Sequence, residues 1–346
     1  MYDLRSMTQD ELRNMLDELG EPAFRARQLF AWLQARGADS FDEMTDLSKS
    51  LREKLAGCAE LRCARVAHRY DSQLDDTHKY LFALNDGEYI ESVLMHYHHG
   101  CTICISTQVG CRMGCTFCAT GQSGFCRSLL PSEMVAQVQA VQRDQGVRIS
   151  NIVLMGMGEP LDNFENVMRF LALISDDHGM NIGMRHISLS TCGLVDRIYD
   201  LMERDLQLTL SVSLHAPNDE IRRRTMPVAR RWPIDELLPA CRAYTEKTGR
   251  RISFEYAMIH GVNDSDACAR ELGQRLRGML AHVNLIPVNE VRDTGYHRSS
   301  RERQERFIQI LAENHITATV RRTLGADINA SCGQLRRRKM DEAKAQ

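Results

Sequence analysis

The chain has 346 residues, 43% of them hydrophobic and 26% charged, which provides for a sizeable core and excludes a disordered chain. A formal charge of -2 excludes a globally basic nucleic-acid binder while leaving room for local basic patches. No apolar run approaches the length of a membrane span, and the first residues lack the apolar stretch of a secretion signal, so a soluble cytoplasmic protein without a membrane partner is expected.

Residues 4–56 read as helical. Thr8 caps a first helix with Glu11 three residues on, and Leu12, Met15 and Leu19 recur at helical spacing. A second helical stretch carries Phe24, Leu29, Phe30 and Leu33 inward and stops at Gly37, with Arg25, Arg27 and Arg36 on its polar side. From about 64 to 100 the texture becomes strand and turn, with Asn85-Asp86-Gly87 as a hairpin signal. A strand near 102–107 opens a repeating rhythm: strands at SNIVLMG, RHISLST, LTLSVSL, RISFEYAMI, HVNLIPV and TATVRRT, with helical stretches such as PSEMVAQVQAVQRD and SRERQERFIQILAENH between them. Strands alternating with helices over more than 200 residues predict a parallel sheet or an α/β barrel, with function at the ends where strands run into loops.

Twelve cysteines in a chain of this kind are expected to be reduced, metal-bound or catalytic rather than a disulfide framework. Cys58, Cys63, Cys241 and Cys268 are scattered and read as packing residues. Cys111, Cys115 and Cys118 stand in a CxxxCxxC spacing, with Cys104 seven residues upstream and Cys332 isolated near the end. Thiolates suit zinc or iron–sulfur clusters. Structural zinc takes four closed ligands, whereas three thiols on a cubane leave one iron open to a substrate or cofactor. The spacing favours iron–sulfur; a zinc-stabilised RNA-binding module is the non-enzymatic alternative.

With CxxxCxxC after the first barrel strand and GMGEP at 156–160, the chain resembles the radical S-adenosylmethionine enzymes. CISTQVGCRMGCTFCATGQSGF, GMGEPLDN, SVSLHAP, NLIPVNEV, DINASCGQL and the N-terminal GEPAFRARQLFAWL and FDEMTDLSKSLREKL extend that to the RlmN/Cfr family of RNA methyltransferases over nearly the whole chain. The resemblance implies a partial (β/α)6 barrel at 97–330, preceded by a helical RNA-binding domain at 1–60 and a strand-rich connector at 61–96, and followed by a C-terminal segment at 331–346. It implies a 4Fe-4S cluster on Cys111, Cys115 and Cys118. S-adenosylmethionine would be held by Gly158, Glu159, Ser190, Ser213, Leu214, His215 and Asn289, with Glu159 meeting the methionine amino group. Methylation of adenine carbon 2 in 23S rRNA (at the peptidyl-transferase centre) and in tRNA (next to the anticodon) follows from the same likeness. GEPL matches the carbon-2 branch, while Cfr-like carbon-8 methylation is the alternative.

Carbon 2 has no lone pair with which to attack a sulfonium methyl, so a carbon radical must be built first. By resemblance, Cys332 takes a methyl from one cofactor molecule and is then activated by a second, cleaved at the cluster. Cys104 resolves the RNA adduct through a transient disulfide, and Glu91 accepts the carbon-2 proton, with Cys104 a competing candidate. A radical enzyme acting on a glycyl site or a small molecule would need neither Cys104 nor Cys332. A flavodoxin- or ferredoxin-like electron donor and a monomer are expected. Cys192 and Cys126 depart from the commoner family residues, and Cys101 should face the other side of its strand from Cys104. Candidate phosphate contacts are Arg222 to Arg224, Arg230, Arg231 and the run Arg336 to Lys339.

Overall fold

The structure, a computed structural model, describes residues 1–288 and 295–328. Its N-terminal unit is tied at both ends by a short parallel pairing, β1 (Tyr2–Asp3) lying beside a strand 56 residues later. Between them run α1 (Gln9–Glu18), α2 (Phe24–Phe30) and α3 (Lys49–Cys58), closed by β2 (Ala59–Glu60). α1 opens on the predicted capping box: Thr8 Oγ1 accepts from the Glu11 N–H, and the Glu11 carboxylate accepts from the Thr8 N–H. α2 does not continue regularly. Residues Ala31–Arg36 widen into a π-helical stretch before Gly37 (φ 67°), and Gln139 donates to the carbonyls of Leu33 and Gln34 there. Phe24, expected inside, is exposed. At 3.6 residues per turn it lies about 120–140° from the buried Leu29 and Phe30, and the Arg25 guanidinium covers its ring instead.

The main sheet begins with the antiparallel β3 (Arg65–Asp71), β4 (Thr77–Ala83), β5 (Tyr89–Tyr97) and β6 (Gly100–Cys104). The β4–β5 turn is the predicted one, with Gly87 at φ 85° donating back to the Leu84 carbonyl. β7 (Gln108–Gly110), α4 (Ala119–Gln122) and β8 (Phe125–Ser128) form a small excursion after β6. Strand and helix then alternate: α5 (Pro131–Gln145), β9 (Ile149–Leu154), α6 (Phe164–Ser175), β10 (Ile187–Thr191), α7 (Val195–Met202), β11 (Thr209–Ser213), α8 (Asp219–Thr225), α9 (Ile234–Thr248), β12 (Ile252–Met258), α10 (Asp266–Leu276), β13 (Ala281–Pro287), α11 (Arg301–Glu313) and β14 (Thr317–Val320).

Among the described residues the sheet order is β14-β13-β12-β11-β10-β9-β6-β5-β4-β3, with every pairing from β6 to β14 parallel. Each parallel strand is thus followed by a helix and then by its neighbour, which is the (β/α)6 rhythm with β14 appended. The strands of the expected connector extend this sheet through the β5–β6 pairing rather than standing apart.

One face of the sheet is covered by helices. Ile103, Ile152, Leu189, Leu210, Phe254 and Leu285 pack there with Val138 of α5, Phe170 of α6, Leu237 of α9 and Phe307 of α11, each fully buried apolar side chain contributing about 1.5–3 kcal/mol. The other face differs. On β10 to β13 the core residues alternate with Ser190, Ser211, Ser253, Glu255 and Asn284. A parallel sheet sandwiched between two helix layers would be apolar on both faces, so this polar lining marks the face left for a ligand.

Candidate active site

The thiol loop grows from β6. β7 and β8 pair at its base, where Gly110 (φ 79°) passes so close to Gly124 that an added Cβ would lie 1.9 Å from its carbonyl oxygen. The Cys111 N–H donates to Gly124 O at 2.9 Å and the Cys118 N–H to Cys115 O at 3.1 Å, fixing the turn between the cysteines. Farther out, the Thr116 N–H donates to Thr225 O at 2.9 Å, and the Thr116 hydroxyl meets the Tyr296 hydroxyl at 3.0 Å. The loop of the first parallel strand therefore reaches the end of α8, which follows β11, and the segment after β13, so the sheet curls around one mouth.

Burial pushes the Cys111 thiol up to about 12 and the Cys115 thiol well above its usual value, and each is raised further by the charges of its sister thiols and Glu159. The sulfurs share one electrostatic neighbourhood, an arrangement that a bound metal relieves by taking thiolates as ligands. Cys192 is buried within reach of the same charges.

Opposite the loop, Gly158 (φ 104°) lies where a Cβ would come within 2.5 Å of the Gln108 Cβ. The following Glu159 N–H donates to Gln108 Oε1 at 3.0 Å. Both oxygens of the buried Glu159 carboxylate are engaged, Oε1 accepting from the Leu161 N–H at 3.0 Å and Oε2 from the Cys192 N–H at 2.7 Å. Burial raises this carboxyl and the two N–H donors pull it back down. The carboxylate thus staples the β9 and β10 loops together, and each of its oxygens keeps a lone pair for the expected cofactor amino group. In Glu159→Gln an amide NH2 would face an N–H donor, and thermal unfolding is expected to show a loss of about 1–3 kcal/mol.

The remaining predicted residues line the curled face. Cys104 is directly paired with Val93 on one side and Val153 on the other, and packs with Met95, Met155 and Leu324. Cys101 packs on the helix-covered face, as the strand alternation predicts. Glu91, two residues before Val93 on β5, shares the Cys104 face. It is fully buried and paired with the equally buried Lys79 at 2.9 Å, which compensates its charge. The Ser106 hydroxyl donates to the Glu91 carbonyl at 2.6 Å and accepts from the Met157 N–H at 3.1 Å, locking β5 to the GMGEP turn.

Ser190 pairs with Ser211, Ser211 with Ser253, and Ser213 with Glu255, making one polar belt across neighbouring strands. Leu214 points into the core, so only its backbone borders the site. His215 holds φ at 56°, packs edge-on to Phe117 of the thiol loop at 4.9 Å, and accepts the Ala257 N–H on Nδ1 at 2.9 Å. Burial and the nearby Arg222 push its pKa down to about 3, so the ring is neutral and presents Nε2–H. Asn289 and Cys332 lie outside the described residues, as does the run 336–339. Among the described cysteines no two are joined to each other by a disulfide.

Four residues of the belt, Ser211, Ser253, Glu255 and Asn284, escaped sequence reasoning. Glu255 accepts from Ser253 Oγ at 3.0 Å and from Asn284 Nδ2 at 2.8 Å, and burial raises its carboxyl. The signal was present in ISFEYAM and HVNLIP, where polar residues alternate on strands of a parallel sheet. Arg222 was misjudged in the other direction. It is buried, donating to Trp232 O at 3.0 Å and Cys192 O at 2.7 Å, and so contacts no phosphate; Arg223, Arg224, Arg230 and Arg231 are exposed.

Comparison with known proteins agrees with this geometry. The radical SAM superfamily profile matches residues 105–269, and that of the ribosomal RNA large subunit methyltransferase N-terminal domain matches residues 2–61. A probable dual-specificity RNA methyltransferase RlmN of Alkaliphilus oremlandii is 54% identical over 336 residues, covering 97% of this chain and 98% of its own. The chain belongs to the RlmN family. The RlmN of Lachnospira eligens is 48% identical over 99% of this chain and 98% of its own. The crystal structure of a radical SAM methyltransferase from Sphaerobacter thermophilus, 47% identical, superposes with a TM-score of 0.93 over 96% of this chain and 99% of that one. The cofactors of this RlmN-family enzyme are a 4Fe-4S cluster and S-adenosylmethionine. The donor set fits them: three soft thiols on one short loop, a glycine turn with its backbone crowded against Gln108, and a polar belt beside both.

Proposed function

We propose that this RlmN-family enzyme methylates carbon 2 of an adenine in 23S rRNA and in tRNA, through a methyl group carried on Cys332. The observation that carries this reading is the course of the chain after β14. Leu324 packs against Cys104 and its apolar neighbours, the Gly325 N–H donates to Asp75 at 2.9 Å, and Asp327 accepts from the Ser72 hydroxyl and the Gln73 N–H, both at 2.7 Å. The chain thus returns from one end of the sheet to the strands bearing Cys104 and Glu91. Cys332 follows five residues after this clamp, within a reach of about 17 Å.

When bound, the cluster and S-adenosylmethionine supply a 5′-deoxyadenosyl radical and the methyl group. Cys111, Cys115 and Cys118 hold the cluster, while Gly158, Ser190, Ser213, His215 and Asn289 hold the nucleoside and methionine ends. Cys332 takes the methyl on sulfur; that methyl loses one hydrogen atom to the deoxyadenosyl radical and its carbon then bonds to the adenine, the unpaired electron left on the adduct being the one that would return to the cluster. Glu91, on the same face of the sheet as Cys104, accepts the proton from carbon 2. The Cys104 thiolate then attacks the Cys332 sulfur; an S–S bond forms as the bond from sulfur to the transferred carbon breaks, and that carbon leaves on the base with a proton. An external dithiol reduces that disulfide back to two thiols, becoming a disulfide itself, and a flavodoxin- or ferredoxin-like donor supplies the electron for cofactor cleavage. Exposed Arg223, Arg224, Arg230 and Arg231 offer phosphate contacts, and the target base must be unstacked to enter.

Nucleoside mass spectrometry of rRNA and tRNA from cells with and without this protein tests the reading; loss of 2-methyladenosine is expected, and 8-methyladenosine in its place would overturn it. Glu91→Gln is expected to lower turnover by about 10²–10⁴-fold while Cys332 is still methylated, measured by single-turnover assay and protein mass.

A further inference from the structure

At the far end of the antiparallel strands, away from the thiol loop, three metal-binding side chains converge, with a cysteine beside one of them. Asp76 stands just before β4, His78 on β4, His96 on β5, and Cys101 opposite His96 on β6. His78 Nε2 lies 3.3 Å from one Asp76 oxygen, His96 Nδ1 lies 3.5 Å from the other, and the Cys101 sulfur is 3.6 Å from His96 Nδ1. The ligand atoms of Asp76, His78 and His96 all lie within 4.8 Å of one another. Tetrahedral zinc, with bonds of about 2.0–2.3 Å, separates its ligand atoms by roughly 3.3–3.8 Å, the same spacing.

The proton inventory also asks for a cation here. His78 Nδ1 is 2.6 Å from the Asp71 carboxylate, which only accepts, so that nitrogen carries the proton. In a neutral ring this leaves the Nε2 lone pair facing the Asp76 carboxylate, acceptor against acceptor. A metal ion would satisfy His78, His96 and Asp76 together. Asp71 behind His78 is the carboxylate–histidine arrangement that orients a metal-bound imidazole. The other nitrogen of His96 has no partner among the described residues, so the ring's orientation answers to the Asp76 and Cys101 side alone.

We propose that Asp76, His78 and His96 bind one zinc ion, with the Cys101 sulfur turning in from beside His96 as the fourth ligand, and that this ion braces the β3–β4 turn holding the approach to Cys332. Asp76 directly follows Ser72, Gln73 and Asp75, which clamp Gly325 and Asp327. The bracing half rests on the role proposed for Cys332; zinc binding does not.

Zinc chloride is added to the anaerobically reconstituted, iron-loaded protein, and metals are counted after gel filtration with a weak chelator. About one zinc per chain is expected, unchanged when Cys111, Cys115 and Cys118 are all replaced by alanine, so that the cluster thiols cannot be its source. His78→Ala with His96→Ala should abolish it at unaltered iron content, and Asp71→Asn should weaken it about 10–100-fold. Cobalt in place of zinc should show a thiolate charge-transfer band that Cys101→Ser removes. No zinc beyond the triad, or equal binding by the double histidine variant, overturns the site and leaves protonated histidines as the occupants. Hydrogen exchange at Gln73 and Gly325 should slow on zinc loading; zinc bound without that slowing overturns the brace. Neither outcome depends on methylation, so failure here is distinct from failure of the functional reading.

Discussion

Replacing Cys332 with alanine is expected to abolish RNA methylation while leaving iron content and S-adenosylmethionine binding at the level of the unaltered protein. In the proposed mechanism the carbon that reaches the base first sits on this sulfur, and the two thiols buried beside the site do not replace it. Cys104 is buried among Val93, Met95, Val153 and Met155, and Cys192 is buried beneath the thiol loop. Loss of a covalent nucleophile removes an entire pathway, on the scale of about 10⁶-fold where other contributions persist. Protein mass spectrometry after incubation with S-adenosylmethionine alone should show one added methyl in the unaltered protein and none in the variant. Undiminished turnover would end the proposed mechanism.

Cys104→Ala has the opposite signature. Methylation of Cys332 and attack on the base should proceed, but nothing then cleaves the bond from sulfur to carbon, so protein joined to RNA accumulates. A denaturing gel of the variant with transcript and both cofactors should show the adduct as the main RNA-containing species. The thiol is nearly buried in an apolar neighbourhood, so removing its sulfur leaves a small cavity and the fold persists. If the variant turns over normally without an adduct, another group resolves the intermediate. Lys79 adds a further distinction: its ammonium lies 2.9 Å from Glu91, across the strand from Cys104, so Lys79→Met should impair proton removal by leaving the buried carboxylate uncompensated while adduct formation continues.

How much of this was legible in advance depended on range along the chain. The CxxxCxxC loop, the GMGEP turn, the Thr8–Glu11 capping box and the Asn85-Asp86-Gly87 hairpin are each written within a few residues, where covalent geometry alone limits the outcomes. The strand–helix rhythm was equally local, because periods of 2 and 3.6 are properties of single elements. Arg222 could not be told from Arg223 and Arg224 in this way, since helix periodicity says that one of three successive arginines faces inward but not that Cys192 O and Trp232 O wait there. Phe24 went wrong for a related reason: it belongs to an apolar run yet lies off the stripe that packs.

By itself the sequence determined the order of the elements, the thiol triad and the residues able to do radical and sulfur chemistry. Tertiary structure alone decided which of them meet. Lys79 becomes the partner of Glu91, each oxygen of Glu159 accepts from a backbone donor, Glu255 and Asn284 join the serine belt, and Leu324 packs against the cluster of Val93, Met95 and Cys104. The physical reason is that these contacts are set by strand register and by the curl of the sheet. Both emerge from burying one apolar face under helices, a collective property that no short stretch of sequence encodes.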